Sequence, residues 1–168
     1  DLKKIDQLIN NATKNNIPVC VLIKPKTLSS KRVEKKILNN HKLTRETFLI
    51  NLLKRISKNE KLITTTGYTS REIFQIRKEH HLKNGKDFYM VGGMGHTSSV
   101  ALGYSLSNNS QVICVDGDGS LLMHLGSIKT AGTFAKNNFK YILLNNNAHD
   151  SVGGQTTYSN NIDFKKMT

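Results

Sequence analysis

Two groups of polar side chains that could hold a metal ion each follow an apolar run in the second half of the sequence. Asp118 stands between Gly117 and Gly119 after the first run, and three asparagines at 145–147 follow the second. Carboxylate and amide oxygens are hard ligands that suit Mg²⁺ or Ca²⁺ better than soft metals. Glycine lets the backbone come close to a ligand. These residue types predict a divalent cation that bridges the protein to a phosphate group.

The segments around these residues predict a strand, a helix and a second strand. The apolar runs 112–115 and 141–144 have the length of buried strands, and the residues between them are enough for a helix. The strands of such a unit are parallel, so their carboxyl ends lie at the same edge of the sheet, where open α/β sheets bind ligands. We therefore expect Asp118 and the asparagines at 145–147 to face one another there.

The elements upstream have the same alternating character. Strands are predicted at 62–65 and 87–91, and a helix after Thr44 carries an apolar stripe. Thr69 and Glu72 have the spacing of a capping box for the next helix. The predicted fold class is α/β, a parallel sheet with helices on both faces. The predicted core of these helices comprises Phe48, Leu49, Leu52, Leu53, Ile56, Leu121, Leu122, Leu125 and Ile128, with Met123 and His124 also packed.

The first 25 residues predict one more helix and strand. Apolar residues recur at helical spacing over 2–15, and 19–23 reads as a buried strand. Cys20 and Cys114 each lie in an apolar run and are predicted to be reduced core residues, which favours a cytoplasmic protein.

The net charge of +13 raises the hypothesis of nucleic-acid binding. Lysines, which make up 20 of the 25 basic residues, are scattered along the chain, while the arginines and aromatics that read and stack on bases are scarce. We predict a solvated basic surface that favours anionic substrates, without nucleic-acid binding. The sequence has no apolar run long enough to span a membrane.

Three other interpretations of the motifs fit less well. The glycine-rich turn at 92–95 could begin a dinucleotide-binding fingerprint with Asp116 as the ribose-binding acid, but Ser98 takes the third glycine position and the 117–119 motif is left unused. An EF-hand loop starting at Asp116 would lack its glycine and its bidentate glutamate. The neighbouring residues at 149–151 have hydrolase-triad types, yet triad members come from separate segments.

The sequence GDG at 117–119, followed after 25 residues by Asn145-Asn146, resembles the cofactor motif of thiamine-diphosphate-dependent 2-oxo acid decarboxylases. The stretches TTTGYTSREIF, VGGMGHTSSVALG and LNNNAHDSVGGQ are similar to phosphonopyruvate decarboxylases and, less closely, to sulfopyruvate decarboxylases. Asn147 stands where that family has a glycine.

The resemblance implies a set of binding residues. Mg²⁺ would be held by the Asp118 carboxylate, the Asn146 side chain and the Ala148 carbonyl. A loop after these ligands, with two glycines at 153–154, would close over the cofactor. Thiamine diphosphate would be contacted by Thr66, Gly67, Gly93, Gly95, His96, Gly117, Gly119, Ser120 and Asn146.

The resemblance also implies an organisation and an activity. Residues 1–28 would end a pyrimidine-binding domain, 29–58 form a linker and helix, and 59–168 an incomplete diphosphate-binding domain of a longer, oligomeric chain. The glutamate that activates the cofactor in this family has no match here, so no catalytic residue is assigned. The implied reaction is decarboxylation of 3-phosphonopyruvate to phosphonoacetaldehyde and carbon dioxide, in phosphonate biosynthesis. The alternatives are a sulfopyruvate decarboxylase subunit, or a cofactor-binding module that is silent without its pyrimidine-binding partner.

Overall fold

The structure is a computed structural model that describes residues 2–25, 27, 43–82 and 87–167. Contacts divide the chain into two compact units, Asp1–Ile37 and Leu38–Thr168. The predicted linker at 29–42 lies outside the described residues. In the part of the chain that the structure describes, no helix is both long and apolar enough to cross a membrane.

The first unit confirms one prediction and corrects two. Helix α1 spans Leu2–Asn15, as the apolar spacing indicated. The segment 19–23 is not a strand, and Val21 and Ile23 are exposed. Cys20 is exposed as well, so its assignment to the core is wrong. A strand is defined by its hydrogen-bonded neighbour, and the described residues of this unit contain no other strand against which the segment could pair and bury its side chains.

The second unit alternates helices and strands. Its helices are α2 (Arg45–Arg55), α3 (Tyr68–Glu79), α4 (Thr97–Ser107), α5 (Asp118–Met123) and α6 (Gly126–Phe134). Its strands are β1 (Lys61–Thr64), β2 (Phe88–Tyr89), β3 (Val112–Gly117), β4 (Phe139–Leu144), β5 (Ala148–His149) and β6 (Gln155–Thr156). Strand β2 is shorter than the predicted 87–91.

Four of the strands form a parallel sheet in the order β2-β1-β3-β4. In the pairing of β3 with β4, Gly117 lies opposite Leu144, so Asp118 and Asn145 follow their strands at the same edge. The parallel strand–helix–strand unit is therefore confirmed, as is the α/β fold class. Strands β5 and β6 form a separate antiparallel pair beyond that edge.

Helices cover both faces of the sheet. On one face Leu49 and Leu53 of α2 pack with Ile73 of α3 and Val115 of β3. On the other face, Ala101 of α4 packs with Ile63, Val112 and Cys114. The apolar stripe predicted in α2 is confirmed, because Leu49 and Leu53 are buried and the rest of the stripe packs partly buried against the same cluster.

Of the two helix starts that were predicted from capping residues, one is confirmed and the other is wrong. The Thr44 side chain accepts a hydrogen bond from the Thr47 backbone N–H, so the predicted cap of α2 is confirmed. The capping box of Thr69 and Glu72 is wrong: α3 begins at Tyr68 after Gly67, whose φ of 97° is a conformation that favours glycine, and has no side-chain cap. Glu72 instead pairs with Arg45.

The helix predicted between β3 and β4 is split by a turn at His124 and Leu125. Leu121 and Ile128 are buried as predicted, while Leu122 and Leu125 are half-buried. The prediction that Met123 and His124 pack in the core is wrong, because both are exposed. Met123 is the last residue of α5, and His124 lies in the turn that follows it.

Candidate functional site

The Asp118 side chain lies at the carboxyl edge of the sheet, at the first residue of α5. Strand β3 ends at Gly117, so the aspartate follows a buried strand directly. Its side chain is almost wholly removed from solvent, at 2% exposure. A buried carboxylate is stable only when hydrogen bonds or a cation compensate for its lost hydration. The neighbours of Asp118 therefore decide what this edge can bind.

Two hydroxyl groups donate to one oxygen of this carboxylate. Thr157 Oγ1 lies 2.5 Å and Ser159 Oγ 2.8 Å from Asp118 Oδ2. Both residues come from the segment after β6, about forty positions along the chain. Sequence reasoning missed them, because they lie beyond the last recognisable element and no local pattern marks them.

Ser159 also reaches the asparagines that follow β4. Its Oγ lies 2.7 Å from Asn145 Oδ1 and 2.7 Å from Asn147 Oδ1. The acid and the amides that were predicted to meet at neighbouring strand ends are thus connected through one buried serine hydroxyl. Asn147 has a φ of 58°, a left-handed conformation that glycine and asparagine tolerate, so the asparagine keeps the backbone that a glycine would adopt.

Asn146 and Ala148 lie in the same turn. Asn146 Oδ1 accepts a hydrogen bond from the Ala148 N–H at 3.1 Å, and its Nδ2 donates to Asp150 at 2.6 Å. Both residues line the cleft together with Asp118. The three predicted metal ligands therefore border one space.

Gly119 has no room for a side chain. A Cβ atom there would lie 2.5 Å from Nδ1 and 2.7 Å from Cε1 of His149. Gly117, by contrast, faces open space at the Cβ position. The second glycine of the motif is therefore required by the His149 ring, which packs against the backbone at the start of α5.

A cleft of about 810 Å³ runs along this edge of the sheet. Seven of the predicted site residues line it: Thr66, Gly117, Asp118, Gly119, Ser120, Asn146 and Ala148. Other residues that line the cleft were not predicted from the sequence, among them Arg45, Phe48, Thr65 and Met94. Arg45 and Phe48 belong to a helix whose spacing had indicated only a core face.

Four other predicted residues lie outside the lining of this cleft. Gly67 borders a smaller pocket of about 420 Å³ that also includes Thr66. Gly95 is buried against α5, where its N–H donates to Ser120 Oγ at 3.0 Å. Gly93 lies one turn from His96, whose ring stacks edge-on against His124 with centroids 4.9 Å apart. The cofactor contacts of these four residues, like those of the predicted residues that line the cleft, stay predictions.

The Asp116 side chain is buried on the α4 side of the sheet. Its carboxylate accepts from Tyr141 Oη at 3.0 Å and from the Gly117 N–H at 2.9 Å. Burial and the nearby Asp116 charge raise the pKa of the Tyr141 phenol, and the same two causes raise that of the Cys114 thiol. An aspartate held in this way, 1% exposed, is not free to bind a ribose, which counts against the dinucleotide interpretation.

The groups at the cleft fit a hard cation and a polar ligand. Asp118, Asn145 and Asn146 line the cleft and offer oxygen, the donor type that Mg²⁺ prefers. Asp118 forms no ion pair with a described residue. Thr65 Oγ1 lines the same cleft, is buried, and has no hydrogen-bond partner in the described part of the chain. A buried charge without a counter-ion and a buried hydroxyl without a partner are both features that a bound ligand would satisfy.

Comparison with known proteins gives one family match. Residues 64–167 match the family described as thiamine pyrophosphate enzyme, C-terminal TPP binding domain, where thiamine pyrophosphate is another name for thiamine diphosphate. This range covers β2, β3 and β4 and the last residue of β1, and all of the cleft residues after Leu43–Phe48.

Similar sequences occur among proteins named as decarboxylases. The chain is 42% identical over 123 residues to the phosphonopyruvate decarboxylase of Streptomyces viridochromogenes, an alignment that covers 72% of this chain and 29% of that protein. It is 38% identical over 109 residues to the sulfopyruvate decarboxylase subunit beta of Methanothermobacter thermautotrophicus, which covers 65% and 56% respectively. The chain thus spans less than a third of the first relative and a little over half of the second.

Proposed function

The chain belongs to the thiamine pyrophosphate enzymes through their C-terminal TPP binding domain, and from this membership we propose that it holds the cofactor of a Mg²⁺-dependent decarboxylase of 3-phosphonopyruvate. The products of the proposed reaction are phosphonoacetaldehyde and carbon dioxide, a step of phosphonate biosynthesis. The observation that carries the proposal is the buried Asp118 carboxylate, which meets the asparagine turn at the edge of one cleft.

Each residue of the site has a proposed role in binding. Asp118, Asn146 and the Ala148 carbonyl would hold Mg²⁺, which would in turn hold the diphosphate group. The proposed contacts of the cofactor itself are Thr66, Gly67, Gly93, Gly95, His96, Gly117, Gly119, Ser120 and Asn146. When bound, thiamine diphosphate would supply the electron sink for the loss of carbon dioxide from a 2-oxo acid.

The residues of this chain would bind and orient the cofactor and exclude water from its metal site. The burial of Asp118 and Ser159 keeps solvent from the oxygen cluster. The His149 ring, packed on Gly119, lies on the cleft beside the proposed metal ligands. An ion held in a water-poor site binds an anionic group more strongly than it would in bulk water.

The choice of substrate rests on similarity and on one cation. Identity is higher to the phosphonopyruvate enzyme, at 42%, than to the sulfopyruvate subunit, at 38%. Among the described residues that line the cleft, Arg45 is the one arginine or lysine, and its Nε donates to Glu72. Its terminal amino groups donate to no described residue and would suit a phosphonate or a sulfonate.

The alternative function is that of a sulfopyruvate decarboxylase beta subunit. The chain covers a larger share of such a subunit, 56%, than of the phosphonopyruvate enzyme, 29%. Both hypotheses require a pyrimidine-binding domain, on the same chain or on another subunit, to supply the activating glutamate. We propose that the enzyme is an oligomer in which that domain completes the site, and that the present residues alone bind the cofactor without turning over substrate. A cytoplasmic location stays a prediction.

A decarboxylation assay tests the proposed function. The whole protein that carries this chain, with any partner subunit, would be given phosphonopyruvate, sulfopyruvate or pyruvate in the presence of thiamine diphosphate and Mg²⁺. We expect carbon dioxide mainly from phosphonopyruvate. Release from sulfopyruvate alone would support the alternative, and release from pyruvate alone would reject both substrates.

Arg45→Gln and Arg45→Lys sharpen the assay. If the guanidinium binds the second anionic group, the KM for phosphonopyruvate rises in Arg45→Gln, more than in Arg45→Lys, while the KM for pyruvate stays unchanged. Arg55→Gln, at the far end of the same helix, is the matched control.

A further inference from the structure

The Asp118 carboxylate is held at one of its two oxygens only. Thr157 Oγ1 and Ser159 Oγ both approach Oδ2, at 2.5 and 2.8 Å. Oδ1 accepts no hydrogen bond from any described residue, and Asp118 lines the cleft. The two hydroxyls therefore fix the orientation of the carboxylate and leave its second oxygen available to a ligand.

Ser159 has more acceptors around it than it has protons. Its single hydroxyl proton faces Asp118 Oδ2, Asn145 Oδ1 and Asn147 Oδ1, all within 2.7 to 2.8 Å of Oγ. The Asn147 N–H donates to Asn145 Oδ1 at 3.1 Å, which fixes that amide with its oxygen toward the serine. At 1% exposure Ser159 has no access to bulk water that could supply further donors. No described residue forms an ion pair with Asp118 in this cluster of oxygens.

We propose that Thr157 and Ser159 are positioning residues for the metal ion: their hydroxyls hold the Asp118 carboxylate in its binding orientation, and Ser159 joins it to the asparagine turn. This inference rests on the proposed function, because the ion in question is the Mg²⁺ that would hold the cofactor. Removing a group that orients a metal ligand through a hydrogen bond lowers metal affinity about 10- to 100-fold.

Thr157 offers a matched pair of substitutions. Its methyl group is close enough to touch a Cβ placed on Gly119, at 3.4 Å, so it fills space beside the start of α5. Thr157→Val keeps that shape and removes the hydroxyl, whereas Thr157→Ser keeps the hydroxyl and removes the methyl. Ser159→Ala removes the second hydroxyl from a small side chain. Thr133→Val removes an exposed hydroxyl that bonds within α6 and serves as the control.

The experiment measures metal affinity separately from stability. For each variant of the whole protein, Mg²⁺ is titrated at saturating thiamine diphosphate and the rise in melting temperature gives the half-saturating Mg²⁺ concentration. The metal-free melting temperature is recorded beside it. We expect that concentration to rise about 10-fold or more in Thr157→Val and Ser159→Ala, further in the double variant, and to return close to the parent value in Thr157→Ser.

Two outcomes would overturn the inference. One is an unchanged half-saturating Mg²⁺ concentration in Thr157→Val and Ser159→Ala with only a lower metal-free melting temperature, which would make the hydroxyls structural. The other is an equal loss in Thr157→Ser and Thr157→Val, which would assign the effect to the methyl group. Asp118→Ala separates this failure from that of the proposed function: if it still shows Mg²⁺-dependent stabilisation by the cofactor, the metal site itself is wrong.

Discussion

The ends of β1 and β3 lie side by side on the same cleft but differ in charge. At the end of β3, Asp118 is charged and buried, and the oxygens around Ser159 outnumber its proton. At the end of β1, the groups are neutral: Ser70 Oγ donates to the Thr65 carbonyl at 2.5 Å, and Thr65 Oγ1 is buried without a partner in the described residues. Among the described residues, Asp118 at one end has no ion-pair partner and Thr65 Oγ1 at the other end has no hydrogen-bond partner.

This difference indicates how a single ligand would fill the cleft. A metal-bound diphosphate carries a cation on one side and acceptor oxygens on the other, so it would complement both strand ends at once. Within the described residues neither end has all of its polar groups paired, which is typical of a binding site and unusual for a core, where buried polar groups are paired. The β3 end should therefore dominate affinity, since charged groups interact more strongly than neutral ones.

The largest effect is expected for Asp118→Asn, which removes the charge and keeps the shape. Breaking a buried charge pair costs about 3–5 kcal/mol, or about 100-fold or more in affinity for the metal and its cofactor. Without ligand, the variant should be at least as stable as the parent, because an unpaired buried charge has been removed. Thermal unfolding with and without Mg²⁺ and thiamine diphosphate measures both.

Asp163→Asn, an exposed aspartate near Lys166, is the control for Asp118→Asn. If Asp118→Asn loses stability without ligand and keeps its response to Mg²⁺, the two strand ends do not differ as described.

A smaller effect is expected for Gly119→Ala. The new Cβ would fall 2.5 Å from His149 Nδ1, so the His149 ring must move. Overpacking of this kind costs about 1–3 kcal/mol, and we expect about a 10-fold loss of cofactor affinity. Isothermal titration with thiamine diphosphate at saturating Mg²⁺ measures it.

Gly132→Ala is the matched control, since its Cβ would meet no atom within 4 Å and alanine favours a helix. A Gly119→Ala protein that binds the cofactor as well as the parent would show that His149 moves without cost.

The three asparagines allow a test of which amide serves the ion. The family resemblance assigns Asn146, whereas Asn145 and Asn147 are the ones that contact Ser159. We expect Asn146→Ala to raise the half-saturating Mg²⁺ concentration about 10-fold, as loss of a group bound to a charge costs about 1.5–3 kcal/mol. Asn147→Gly should change it little, because glycine adopts the φ of 58° readily.

If Asn145→Ala raises the half-saturating Mg²⁺ concentration more than Asn146→Ala does, the metal ligand is Asn145 and not Asn146, although the metal site is the same.

Local patterns predicted the sheet and the β3 end well. Apolar runs that stop at polar residues predicted β3 and β4 and their shared edge, and helical spacing predicted Leu49 and Leu53 in the core. These signals are local because a short run of consecutive apolar residues indicates a buried strand. The split after α5 was missed because the turn at His124 and Leu125 contains neither glycine nor proline.

Contacts between distant segments could not be predicted in this way. Thr157 and Ser159 reach Asp118 across about forty residues, and Glu72 pairs with Arg45 across 27 instead of capping its own helix. The prediction for Val19 and Cys20 was wrong for the opposite reason. Their apolar run indicates a strand, but a strand also needs a hydrogen-bonded neighbour, and the described residues of their unit provide none. The sequence predicted the residues that would bind the metal ion, whereas the groups that orient those residues were visible only in the structure.

The smallest effect is expected at the β1 end, for Thr65→Val. Valine has the shape of threonine without the hydroxyl, so the variant removes a buried polar atom that has no partner among the described residues. Stability without ligand should rise by about 1 kcal/mol, the lower end of the penalty for an unsatisfied buried group. If that hydroxyl binds the cofactor, affinity for thiamine diphosphate should fall about 3- to 10-fold, the value of one hydrogen bond. Opposite signs in the two measurements distinguish a binding hydroxyl from a packing defect. A gain in stability with unchanged affinity would mean that the cleft binds its ligand through the β3 end alone.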